Sequence, residues 1–277
     1  MPTPIEDIYF ALLLLFVGGI AGYLGSLFGV GGGIVLVPVF LTIFPFFHVS
    51  HEAVMHNAVG TSLALLVPNA LLSARNHYKR GNFDFPLLKQ WIPFILIGAI
   101  TGILIIKFIP TAYLKILFAL YLYASFLYVI LKKGKGNEIE GQPRGWGMRI
   151  AGVCVLIGGF SVLLGMGGGT FSIPFCQAYN YSIKKSIALA SATAIFIGLI
   201  GTIGVIISGW NAPGRAPYSL GFVNLLAFIC ILPTIIIFSP FGVKTAQRLS
   251  LRQLRILYAF FLLTMGLYMT SHVFFSY

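Results

Sequence analysis

"GSLFGVGGGIVLVP" (residues 25–38) and "LLGMGGGTFSIP" (residues 163–174) decide how this chain folds. Each sets three consecutive glycines inside an apolar stretch, with a proline five residues after the last of them. Glycine and proline are the poorest residues for a helix interior, so each stretch predicts a helix broken partway along. Gly29, Gly31, Gly32, Gly33 and Pro38 align with Gly165, Gly167, Gly168, Gly169 and Pro174 at a constant offset of 136. One chain therefore carries the same break twice.

The surroundings of the two breaks are those of a membrane protein. The sequence is 58% hydrophobic and 9% charged over 277 residues, where a soluble domain carries about 25% charged residues. Apolar segments fall at 8–26, 30–47, 53–74, 86–106, 111–131, 150–164, 168–179, 186–208, 218–239 and 252–275. Several reach the roughly 20 residues a helix needs to cross a bilayer. Continuous apolar runs argue against a transmembrane barrel, whose strands alternate. The fold class expected is an all-α polytopic membrane protein.

Similarity between the halves extends past the glycines. "AVGTSLA" from Ala58 loosely matches "ASATAIF" from Ala190, and "NFDFPLL" from Asn82 falls opposite "SLGFVNL" from Ser219. "LKILFALYLYASFLY" from Leu114 matches "LRILYAFFLLTMGLY" from Leu254. The polar stretch from Lys132 to Arg149 reads as a solvated connection. It divides the chain into a first repeat at 1–131, a linker at 132–149 and a second repeat at 150–277.

Charge orients these parts. With the loop at 75–82 placed in the cytoplasm, 15 of the 18 lysines and arginines fall inside, and only Lys107, Lys115 and Arg215 outside. This is the positive-inside pattern. It puts both termini outside and makes the repeats inverted, as in many transporters. "MPTPIEDIYF" lacks the positive region of a cleavable signal, so the first apolar segment is expected to be retained. The runs 150–164 and 168–179 are too short to cross at about 1.5 Å per residue. Each repeat is therefore expected to be one glycine-broken re-entrant hairpin plus three transmembrane helices.

A half-helix that starts at mid-membrane leaves backbone N–H groups unpaired there. Its dipole adds partial positive charge, and together they make an anion site without a charged side chain. Gly31, Gly32, Gly33 and Pro38 with Gly167, Gly168, Gly169 and Pro174 are the candidate substrate-binding residues. Polar groups in the matched third elements join them: Asn57, Thr61 and Ser62 from the first, Ser191 and Thr193 from the second. The competing explanations are close helix packing for the glycines and interhelical hydrogen bonds for the polar groups.

Other chemistries find little support. Glu6, Asp7, Glu52, Asp84, Glu138 and Glu140 are the acidic residues, and all fall in loops or at helix ends. No mid-membrane carboxylate is available to bind a cation or relay protons. His51 and His56 are five apart in "FHVSHEAVMHN", not the four that puts two metal ligands on one helix face. That loop, with His48 and Glu52, reads as interfacial rather than metal-binding, although His56 is a titratable group at the outer mouth. Three cysteines, Cys154, Cys176 and Cys230, lie in apolar segments without a metal or disulfide spacing. No serine–histidine pair or paired aspartates stand at one depth, so no catalytic residues are assigned and no enzyme is expected. The net charge of +12 follows membrane topology, not nucleic-acid binding. No cofactor or metal is called for.

On the paired "GVGGG…P" and "GMGGG…P" motifs, the "AVGTS" element and the basic start of "LRQLRILYAFFLL", the chain resembles the sulfite exporter TauE/SafE family over nearly its whole length. The resemblance implies an inner-membrane transporter that moves sulfite, organosulfonates or related sulfur oxyanions, usually outward. Its expected partners are that small anion and the lipid bilayer. The alternatives are a carrier or channel for another small anion, and a non-transporting assembly or sensor subunit. The many aromatic residues suit helix contacts, a lipid belt or a homodimer interface equally.

Overall fold

The computed structural model describes residues 4–28, 32–47, 49–131, 148–178, 181 and 183–274. Gly31, His48 and most of the expected linker lie outside the described residues. The first half contains α1 (Pro4–Phe28), α2 (Gly33–Ile43) with a short 3-10 turn (Phe44–Phe47), α3 (Val54–Lys79), α4 (Phe85–Ile106) and α5 (Thr111–Leu131). The second contains α6 (Met148–Leu163), α7 (Gly169–Ala178), α8 (Ile183–Ser208), α9 (Leu225–Arg248) and α10 (Leu251–Phe274). Two strands of two residues, β1 (Ser219–Leu220) and β2 (Val223–Asn224), form a small antiparallel hairpin between α8 and α9.

The protein is an all-α polytopic membrane protein. Among the described residues, seven helices are long and apolar enough to cross a membrane: α1, α3, α4, α5, α8, α9 and α10. Both glycine breaks interrupt helices, and α2, α6 and α7 are too short to span. The difference from expectation is α1, which runs for 25 residues and is a seventh span by length where six were expected. A second difference is the start of α9. The apolar run from residue 218 opens as the β-hairpin, because Asn224 caps the helix with its side chain accepting the Ala227 N–H at 2.7 Å.

Large apolar side chains are exposed along the outside of the bundle, including Ile97, Leu104, Leu120, Ile229, Ile237, Phe260 and Leu267. In water such a surface would be a liability; in a bilayer it is the lipid face. The protein core instead gathers around α2 and α3. Every residue of α3 from Val54 to Leu66 is buried.

Helix pairing follows a simple rule. α1 packs on α9, and α6 packs on α4. α3 packs on α8, α5 on α10, α2 on α3 and α7 on α8. Exchanging the two halves element by element leaves this set of pairs unchanged. Glycines allow the closest approaches. Gly22 meets the Ile235 backbone, and Gly102 meets that of Gly159.

Candidate functional site

A cavity of about 750 Å³ opens at the end of the bundle that carries Arg75, Lys79, Arg80 and Lys244. One wall is the basic half of α3, with Asn69, Ser73, Asn76, His77 and Arg80. α8 contributes Ala190, Ser191 and Ala194; α9 contributes Ser239, Pro240 and Lys244; the end of α1 contributes Gly25 and Ser26. Gly167 and Gly169 lie at its blind end beside Leu66 and Ala194. Among the described residues no acidic side chain lines this cavity, and its mouth carries Arg80 and Lys244. A cleft lined by one sign of charge concentrates ions of the other sign.

The two breaks are built alike. The Gly32 carbonyl accepts the Val35 and Leu36 N–H groups at 3.0 and 2.8 Å, and the Gly168 carbonyl accepts those of Phe171 and Ser172 at 3.2 and 2.7 Å. In each case the N–H groups before this point have no partner within the helix. The breaks also touch each other. A Cβ on Gly33 would stand 2.5 Å from the Gly165 carbonyl oxygen and 3.0 Å from the Met166 Cα. Any side chain there would push the halves apart.

Their surroundings differ. Gly167 and Gly169 front the cavity, with Gly168 buried between them. Gly32, Gly33 and Pro38 are buried in protein and are not among the cavity's lining residues. Pro174 lies inside α7, its carbonyl accepting the Tyr128 hydroxyl at 3.3 Å.

The polar candidates on the third elements are distributed in the same uneven way. Ser191 lines the cavity and shares a 2.7 Å hydrogen bond with Ser73. Thr193 lies beside Gly168 and donates to the Ala190 carbonyl at 3.0 Å. Ser62 donates to the Gly165 carbonyl at 2.7 Å, which ties α3 to the second break. Asn57 and Thr61 face the other end of the molecule. Their side-chain oxygens accept the Ala216 N–H at 3.4 Å and the Asn224 N–H at 3.0 Å. They hold the α8–α9 connection across the end of α3 opposite the cavity mouth.

That connection is a plug. The Phe222 ring packs tilted against His56 with centroids 5.2 Å apart, its carbonyl lies against Gly60, and the Ser50 N–H donates to the Gly214 carbonyl at 3.2 Å. His56 bonds the Ile106 carbonyl at 3.0 Å through Nε2. The molecule is thus open at its basic end and covered at the other.

A family model described as sulfite exporter TauE/SafE matches residues 14–269. The chain belongs to this family. A "probable membrane transporter protein" of Haemophilus influenzae is 33% identical over 94% of this chain and 98% of its own length. Another from Methanocaldococcus jannaschii is 34% identical over 93% of this chain and 94% of its own. A more distant one, YunE of Bacillus subtilis, is 25% identical over 72% of this chain and 79% of its own. No solved structure matches the chain. This TauE/SafE member is a multi-pass membrane transporter.

Sequence reasoning missed one wall of the cavity. Asn69, Ser73, Asn76 and Arg80 recur at spacings of 4, 3 and 4 along the second half of α3 and its C-cap. That is a polar stripe on one helix face, and the periodicity was there to be read.

Proposed function

We propose that this transporter exports sulfite, an organosulfonate or a related sulfur oxyanion across the plasma membrane, the inner membrane of a bacterial cell. The observation that carries this reading is the acid-free cavity, which runs from cationic groups at its mouth to the glycine start of α7. An oxyanion entering it passes Arg80 and Lys244 and ends against backbone N–H groups at the positive end of a helix dipole. Neutralisation by main chain suits a transported anion, because a bound arginine partner would hold it too firmly to release.

The basic end is the cytoplasmic side on the positive-inside rule, so both termini face outward and the cavity is the inward-facing form. Inverted repeats support alternating access, in which one half rocks against the other. In the outward-facing form the α8–α9 plug leaves α3 and the cytoplasmic mouth closes. Expelling an anion from a negative interior is downhill by about 2.3 kcal/mol per charge per 100 mV, so no coupled ion is required.

Sulfite flux from proteoliposomes, with and without an imposed potential, tests this. Saturable flux that follows the potential is the expected result. Zero sulfite flux under both conditions overturns the sulfite assignment. Zero flux for a panel of sulfonates as well overturns the sulfur-oxyanion class.

A further inference from the structure

The two breaks share a backbone but not a neighbour. Side chains on a helix lean toward its N-terminus, so the residue four positions on lies back over the first. Over Gly32 this residue is Leu36, whose Cδ1 stands 3.0 Å from where a Gly32 Cβ would be. Over Gly168 it is Ser172, whose Oγ stands 3.5 Å from the corresponding point. The offset of 136 that relates the glycines relates these two residues as well. One helix start is covered by hydrocarbon alone; the other meets Ile197 Cδ1 at 2.9 Å and two hydroxyls, Thr193 Oγ1 at 3.4 Å and Ser172 Oγ at 3.5 Å.

That hydroxyl is unused. Ser172 is fully buried, and among the described residues its Oγ has no hydrogen-bond partner. A buried polar group left in this way is costly and calls for an explanation. Three hydroxyl protons around this helix start are engaged: Thr193 with Ala190, Thr170 with Gly167 and Ser62 with Gly165. Of the other orphaned hydroxyls, none belongs to α7. Ser172 therefore holds the one uncommitted hydroxyl proton on the helix that begins at the cavity's blind end.

From this we infer that the anion is bound by the second break alone, with the Ser172 hydroxyl as a ligand beside the first N–H groups of α7. The first break is a closed pivot, sealed by Leu36 and by the contact of Gly33 with Gly165. An oxyanion beside Gly168 accepts from the Ser172 hydroxyl and from backbone N–H groups that precede the first α7 hydrogen bond. The inference rests on the anion-transport reading above and gives its site a chemical identity.

Ser172→Ala is the test, made in the full chain. The probes are sulfite and methanesulfonate, and the readouts are thermal melting and proteoliposome flux. Loss of a charge-assisted donor is expected to raise the anion concentration for half-maximal flux about tenfold. The melting temperature without anion should hold or rise, because an unpaired buried hydroxyl has been removed. The anion-induced rise in melting temperature should shrink in the variant. Thr202→Val, which removes another unpartnered buried hydroxyl further along α8, should leave half-saturation unchanged. Wild-type flux with equal half-saturation in Ser172→Ala overturns the inference and leaves the transport reading intact. Anion-dependent stabilisation lost in the variant, without flux in either protein, supports the site and overturns transport. A variant that melts earlier without anion shows a structural hydroxyl and overturns the inference, as does a wild type that neither anion stabilises.

Discussion

Gly165 sits at φ +64, and a Cβ there would come within 2.9 Å of the Val59 Cα and 3.1 Å of a Val37 methyl. Both its conformation and its contacts exclude a side chain. This glycine lies at the point where α2, α3 and the second break meet. Tyr181 works at the basic end. Its hydroxyl donates to Asp84 Oδ2 at 2.6 Å, while Asp84 Oδ1 caps α4 by accepting the Leu87 N–H at 3.1 Å. Burial pushes the Tyr181 hydroxyl above its ordinary pKa, and the Asp84 carboxylate that takes its hydrogen bond adds to the shift. A raised pKa means the stabilisation is complete below the unfolded value of about 10 and fades only as pH climbs toward the higher folded value. Tyr181→Phe should therefore cost about 1–3 kcal/mol, with the same drop in melting temperature at pH 6 and pH 8. Melting curves at the two pH values check this, and a drop confined to one of them would count against the bond.

Among the elements, the α8–α9 connection shows how a segment can look like part of a span and act as a cover. Residues from 218 are apolar enough to extend α9, yet they form a hairpin because Gly221 turns at φ +59 and Asn224 caps the helix that follows. Two side chains of α3, Asn57 and Thr61, accept hydrogen bonds from it. Thr61→Val keeps the shape of the side chain and removes the acceptor, leaving the buried Asn224 N–H unpaired at a cost of about 1–3 kcal/mol. The plug should then open more often. Ala216→Cys, a buried position of the plug itself, should react severalfold faster with a membrane-impermeant thiol reagent in the Thr61→Val background than alone. Equal labelling rates would show that the plug is held by other contacts. At Thr193, the residue matched to Thr61, the hydroxyl turns back to its own helix and the cavity lies beside it. The same position latches another element in one half and bonds only its own helix in the other.

At the scale of the molecule, the exchange-invariant set of helix pairs gives a body whose halves pack alike and whose glycine-fronted cavity opens at the basic end. Asn76 lines that mouth and is exposed. With the basic end in the cytoplasm, Asn76→Cys should label in inside-out vesicles and remain unlabelled in intact cells. Labelling in the reverse pattern would invert the topology.

How far these features were legible differs by kind. Membrane class, the positions of the two breaks and the matching of the halves follow from composition, spacing and offset, which depend on local sequence. α1 as a seventh long helix was legible in its own apolar run at 8–26, but the hairpin was inferred from the shorter runs of the second half, and the matched α6 is only 16 residues long. The opposite fates of Thr61 and Thr193 were not legible. They occupy matched places in matched motifs, and what separates them is which neighbouring element has docked. Ser172 and Leu36 could have been told apart by the offset. Yet a serine one turn into an apolar helix signifies nothing until its neighbours are known.

Local sequence therefore settles that this chain crosses a membrane and breaks two helices at glycine. Those outcomes depend on the hydrophobicity and backbone freedom of a few adjacent residues. Packing settles which break faces the cavity, which end is covered and which hydroxyl is left without a partner. Those outcomes depend on contacts between residues more than a hundred positions apart, such as Ser62 with Gly165 and Thr61 with Asn224.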